Sequence, residues 1–100
     1  MTIREVQDAF ANRTKEKPSE QTFVQLANAL ASKCGRINGS AKFADRGDPE
    51  YDPTLNRKFL ASTAAYLFLI ANRLDINLSD AIREEFNAKS DEFQSTVYLR

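Results

Sequence analysis

The residues from Thr54 to Leu74 constrain the fold more than any other part of the sequence. They contain no Asp or Glu, and as a helix they would be apolar around most of the circumference. The preceding Asp52 and Pro53 have the order typical of a helix start, an N-cap followed by proline at the first helical position. One face would carry Leu60, Thr63, Ala64, Leu67, Ile70, Ala71 and Leu74, widened by Phe59, Tyr66 and Phe68. Such a helix is central to a domain or lies at a subunit interface.

Two shorter amphipathic segments lie nearer the ends of the chain. The first is predicted to be helical from Thr2 to about Asn12, before a break over residues 15–18. The last is predicted to begin at Asn77, a typical N-cap residue. Residues 94–100 have strand-forming side chains but no partner strand, so they are predicted to form an extended arm.

A further helix is predicted between these segments. Ser19 is its expected N-cap, and Gly35 and Gly39 mark its expected end. Its apolar face would consist of Phe23, Leu26, Ala27, Leu30, Ala31, Cys34 and Ile37. Residues 38–52 lack periodicity and are predicted to be a loop. The chain is therefore expected to be one all-α domain of four helices over residues 1–100.

Composition limits the classes of function. The formal net charge is zero, which gives no support for binding to nucleic acid or to an anionic membrane surface. No apolar run is long enough for a transmembrane helix, and the N-terminus lacks a signal-peptide core. The single cysteine, Cys34, cannot form an internal disulfide, so a reducing, cytoplasmic compartment is expected. Without histidine, a zinc site or a histidine general base is excluded.

Three segments together are similar to one known family. Residues 73–78 read Arg-Leu-Asp-Ile-Asn-Leu, residues 86–91 read Phe-Asn-Ala-Lys-Ser-Asp, and residues 30–38 read Leu-Ala-Ser-Lys-Cys-Gly-Arg-Ile-Asn. These segments resemble the MazG-like nucleotide pyrophosphohydrolases, over roughly residues 23–99. The resemblance implies a four-helix domain that assembles into a helical-bundle oligomer, a homodimer or larger.

The resemblance also shows where this chain departs from the family. MazG-like enzymes bind magnesium through a Glu-x-x-Glu motif and a Glu-x-x-Asp motif, which fall here on Lys33 with Arg36 and on Phe59 with Ser62. Neither central helix contains a carboxylate, so no catalytic residue, metal ligand or cofactor is predicted. Magnesium would be needed only if a metal site had moved to the acids of the last helix and the loop.

The basic residues of the family's last helix fall on Glu85 and Glu92, so both sets of charges are reversed relative to the family. This reversal has two interpretations. In the first, these glutamates form salt bridges with Lys33 and Arg36 in a filled, structural pseudo-site. In the second, Lys33 and Arg36 replace the metal ion and bind nucleotide phosphates directly.

The candidate ligand-binding residues are Lys33, Arg36, Asn38, Lys42 and Asn87. Asn38 and Asn87 match asparagines of the family, although Asn38 could equally be a cap. Lys42 belongs either to a basic rim or to ordinary surface charge. The leading hypothesis is a catalytically inactive homologue that sequesters a nucleotide or binds a protein. The alternatives are a pyrophosphohydrolase with a relocated magnesium site and a regulatory subunit of an active paralogue.

Overall fold

The computed structural model describes residues 1–18 and 21–100, and its regular structure there is entirely helical. The helices are α1 (Ile3–Glu16), α2 (Phe23–Asp45), α3 (Pro53–Arg73) and α4 (Leu78–Glu92). The described residues contain no strand, which confirms the prediction of an all-α chain.

Side-chain caps determine where the helices begin. Asp52 caps α3 by accepting from the backbone N–H of Thr54, and Asn77 caps α4 by accepting from that of Asp80, as the sequence predicts. Ser19, the expected N-cap of α2, lies outside the described residues. Thr22 caps that helix instead, in a reciprocal capping box with Gln25.

The first helix is one turn longer than expected. α1 continues to Glu16, and its C-cap is Lys17, the residue before Pro18. A residue that precedes proline is disfavoured in the helical region, so the proline ends the helix rather than the charged residues before it.

The second helix also continues beyond its predicted end, so the loop predicted over residues 38–52 is wrong for residues 38–45. Gly35 and Gly39 lie within the helix. The glycine that ends it is Gly47, whose φ of +65° is in the left-handed region. The Gly47 N–H donates to the Ala44 carbonyl and the next N–H to the Phe43 carbonyl, as in a Schellman C-cap.

Packing against α3 explains why residues 38–45 remain helical. Ile37, Ala41 and Ala44 border a small cavity shared with Leu60 of α3. The Ser40 hydroxyl is hydrogen-bonded to the Asn56 side chain at 2.6 Å. These contacts offset the helix-breaking tendency of two glycines, which is on the order of 1 kcal/mol each.

The most extensive packing in the chain joins α2 to α3 as an antiparallel hairpin. On another side of α3, α1 packs through Phe10 and Phe68, whose rings stack with centroids 5.5 Å apart. α4 packs on α1 rather than along α3.

The single chain is open for its length. Its radius of gyration is 16.4 Å, whereas a compact domain of this size has about 13 Å. Its accessible surface is 7705 Å², whereas about 5,700 Å² is typical of a compact chain of this mass. Among the described apolar side chains only Leu26 and Ala71 are buried. A hydrophobic core is therefore not closed within one chain.

Within residues 1–18 and 21–100, no single helix has both the length and the apolar composition to span a membrane. α3 and α4 meet these criteria only when taken together, and the chain bends by 106° between them.

Candidate functional site

The ligand-binding residues predicted on the second helix do not converge on one surface. Lys33 and Arg36 lie one turn apart on α2, and Asn38 and Lys42 form a second pair one turn apart. At 3.6 residues per turn, Lys42 lies about half a turn around the helix axis from Lys33. A ligand bound by the first pair would therefore be out of reach of the second in the same chain.

Arg36 borders a cavity of about 200 Å³ between α2 and the start of α3. Glu50 and Asp52 line the same cavity, together with Phe43 and apolar residues of α3. The side-chain hydroxyl and the backbone N–H of Thr54 both donate to Asp52, which lowers the pKa of that carboxyl below its ordinary value. Two carboxylates beside one guanidinium make this cavity unfavourable for a phosphate.

The salt bridges expected between the second and last helices are not formed in one chain. Glu92 is instead paired with Lys89, with 3.0 Å between the charged atoms. The structure gives no ion-pair partner for Glu85, Lys33 or Arg36 within the residues it describes. The reason is topological, because α4 packs on α1 and does not lie against α2.

Asn87 binds the C-terminal arm, residues 95–100, which form no regular secondary structure. Its Nδ2 donates to the Leu99 carbonyl and its Oδ1 accepts from the Leu99 N–H, both at 2.8 Å. The Ser90 hydroxyl donates to the Val97 carbonyl, and the Tyr98 hydroxyl donates to Asp91. The side-chain amide that the family resemblance assigns to a nucleotide is thus occupied by the protein's own backbone.

The Tyr98 hydroxyl has a raised pKa because it donates its hydrogen bond to the Asp91 carboxylate. Ionisation of the phenol would remove the donor and place two negative charges together, so the bond favours the neutral form. The arm is consequently fixed to α4 by both backbone and side-chain groups.

A second cavity, of about 260 Å³, lies where α1, α2 and α3 meet. Leu26 and Leu69 give it an apolar wall, and Thr14 and Arg73 add polar groups at its edge. No local motif in the sequence marks this cavity, because its lining comes from three separate helices.

No group of three or more Asp, Glu or Cys side chains in the described parts of the chain is placed to hold a metal ion. Asp80 is paired with Arg83, with 2.8 Å between the charged atoms.

Two apolar stripes are exposed on the described helices. We call Leu60, Leu67 and Leu74 the leucine stripe, because they recur at seven-residue intervals along α3 and its C-cap and all are exposed. We call Ile82, Phe86 and Phe93 the α4 stripe. Their spacing of four and seven residues places them on one face of α4, and Phe93 at its end is 72% exposed.

The leucine stripe belongs to the face that the sequence predicts to be buried or at an interface. Leu60 is 60% exposed, and Ala71, on the same broad face, is only 5% exposed. The seven-residue spacing of these leucines could be predicted from the sequence. Their exposure could not, because it depends on where α1, α2 and α4 pack.

Comparisons with protein-family models, with curated proteins and with solved structures found no match to this sequence.

Proposed function

We propose that this protein is a non-catalytic binding subunit that completes its hydrophobic core by associating with another polypeptide. The observation that carries the proposal is the open single chain, with an accessible surface of 7705 Å² and fifteen large hydrophobic side chains exposed among the described residues. A compact monomer of this mass would expose about 5,700 Å², and association with another polypeptide is the usual way of covering excess apolar surface.

Binding is better supported than catalysis by the chemistry of the described residues. The metal motifs of MazG-like enzymes need paired carboxylates on two helices, whereas α3 carries no Asp or Glu and α2 carries only Asp45. The MazG-like resemblance leads to the same proposal, that of an inactive homologue forming a homo-oligomer or pairing with a related protein. The role of such a subunit would be to bind and assemble.

The proposal is tested by thermal unfolding of the purified chain at 1 and 100 μM, followed by circular dichroism. If association completes the core, the melting temperature rises with concentration, because mass action stabilises a folded oligomer. If the partner is a different protein, the chain alone melts without cooperativity and binds a hydrophobic dye. A cooperative melt that is independent of concentration, from a particle with the mass of one chain, would contradict the proposal.

A second candidate is nucleotide binding at Lys33 and Arg36. It is favoured by one observation, that Lys33 and Arg36 form no salt bridge within the described part of the chain, although Glu50 and Asp52 line the cavity that Arg36 borders. A thermal-shift screen over nucleoside mono-, di- and triphosphates, with and without magnesium, tests it. A shift in the wild type that disappears in Lys33→Ala and persists in Lys42→Ala would support this candidate, and no shift with any nucleotide would remove it.

A further inference from the structure

The turn between α3 and α4 keeps α4 away from the leucine stripe of its own chain. The helix axes bend by 106° across residues 74–77. Gln7 holds this turn, because its side chain donates to the Ile76 carbonyl and accepts from the Leu78 N–H. Asp75 adopts a φ of +55° within it. With the turn fixed and α4 packed on α1, both stripes of one chain remain uncovered.

The two stripes match in length and character. Leu60 to Leu74 spans about 21 Å along α3, and Ile82 to Phe93 spans about 16 Å along α4, at 1.5 Å per residue. A seven-residue repeat of leucine favours near-parallel packing against another helix. One α4 stripe therefore fits within the length of one leucine stripe.

One pair of charges beside the stripes is complementary, and Lys89, which lies on the face of the α4 stripe, is already paired with Glu92. Arg57 lies one turn before Leu60 on α3, and Glu85 lies one turn after Ile82 on α4. Neither has an ion-pair partner within residues 1–18 and 21–100. The net charge of the whole chain is zero, so two copies do not repel each other.

We infer that the other polypeptide is a second copy of this chain, and that α4 of each protomer packs on the leucine stripe of the other. The inference rests on the proposed function and specifies its partner. A two-fold axis relates the two contacts, so the leucine stripe of each protomer is covered by the α4 stripe of the other. The assembly is closed, and neither stripe remains free to bind a third copy. The chain exposes about 2,000 Å² more surface than a compact chain of its mass, which falls within the roughly 1,000–2,500 Å² that each protomer of an obligate dimer buries.

Disulfide trapping tests the placement of the helices. In a Cys34→Ser background, one protein carries Leu60→Cys or Leu67→Cys and the other carries Ile82→Cys or Phe86→Cys, so any mixed disulfide joins two chains. The matched control is Glu84→Cys, an exposed position on the opposite side of α4. We expect at least one of the four pairings to give about tenfold more mixed disulfide than the control, because the bond needs Cα atoms within about 7 Å.

A charge placed in the leucine stripe gives an independent measurement. Leu67→Lys should convert the dimer to monomer in light scattering, whereas Ala61→Lys, at an exposed position off the stripe on the same helix, should remain dimeric.

The outcomes separate this inference from the proposed function. A wild-type dimer whose stripe pairings trap no better than Glu84→Cys would overturn the exchange of α4 and leave the proposed function standing. A monomer that melts without cooperativity would overturn the second copy as partner, and again the proposed function would stand. A monomer with a cooperative, concentration-independent melt would overturn both.

Discussion

Gln7 connects α1 to the end of α3 and the start of α4 through one buried side chain. Its amide makes three hydrogen bonds, to Asn72 Oδ1 at 3.0 Å, to the Ile76 carbonyl at 2.6 Å and from the Leu78 N–H at 2.9 Å. It lies on the apolar face of α1, between Ile3 and Phe10 by helical spacing. A polar residue on such a face was the available sequence signal, but its partners lie more than sixty residues away in the chain.

We predict that Gln7→Leu lowers the free energy of unfolding by about 2–3 kcal/mol, because it leaves the Ile76 carbonyl and the Leu78 N–H without their buried partner. The control is Asn12→Leu at an exposed position of α1, which should change stability by less than about 0.5 kcal/mol. Urea unfolding of both variants measures the difference. Equal stability of the two would show that this network does not hold the α3–α4 turn.

Tyr98 makes the docking of the C-terminal arm dependent on pH. Its folded pKa is raised above the ordinary value of 10.0, so the neutral phenol is the form that stabilises the docked arm. This contribution is complete below the pKa of the unfolded chain and is lost as the pH rises through the folded pKa.

The expected result is a component of the absorbance titration that ionises above the ordinary tyrosine pKa of 10.0 and that disappears in Tyr98→Phe. Asp91→Asn is the complementary variant, because it removes the acceptor charge and should return Tyr98 to its ordinary pKa. A titration of Tyr98→Phe that still contains the late-ionising tyrosine would assign the shift to a different residue.

At the scale of elements, the starts of α3 and α4 could be predicted from sequence because a single capping residue determines each one. The ends of α1 and α2 could not be predicted as well. The local signal at Gly39 favours a helix end, but the packing of α2 on α3, which includes the hydrogen bond between Ser40 and Asn56, outweighs it. Tertiary packing therefore decided the boundary, which lies at the C-cap Arg46 and is followed by Gly47 with its positive φ.

Alanine substitution of two glycines tests this boundary. A Cβ at Gly39 would have no heavy atom within 4 Å, so Gly39→Ala should stabilise the protein by about 0.5–1 kcal/mol, as expected inside a helix. Gly47→Ala should destabilise it by about 1 kcal/mol, because alanine is strained at a φ of +65°. Denaturant unfolding of the pair gives the signs, and a destabilised Gly39→Ala would place the helix end where the sequence first suggested.

The candidate site was less predictable than the helices. Helical spacing alone places Lys33 and Lys42 on opposite sides of α2. That α4 does not lie beside α2 could be learned only from the structure, in which α4 packs on α1. Asn87 was singled out by family resemblance, and its contact with Leu99 depends on a tail that carries no helical pattern. The types of residue in the candidate site could thus be predicted from the sequence. Which side chains from separate helices lie close together could not.

On the scale of the whole molecule, four helices form without enclosing a core. The described hairpin of α2 and α3 has α1 on one side, while the leucine stripe and the α4 stripe remain exposed. The sequence predicted that the apolar third helix would be central or at an interface. Within the chain α3 is central, because α1 and α2 both pack on it, and its leucine stripe remains exposed. Burial of both stripes is expected to supply most of the hydrophobic stabilisation that one chain lacks.

The most direct measurement of this claim is the mass of the protein in solution, by light scattering or sedimentation equilibrium from submicromolar to 100 μM. The account predicts a particle of twice the 11.3 kDa chain mass at micromolar concentration and above, with dissociation accompanied by loss of cooperative folding. A particle with the mass of one chain throughout this range, folded cooperatively at every concentration, would contradict the claim that another polypeptide completes the core.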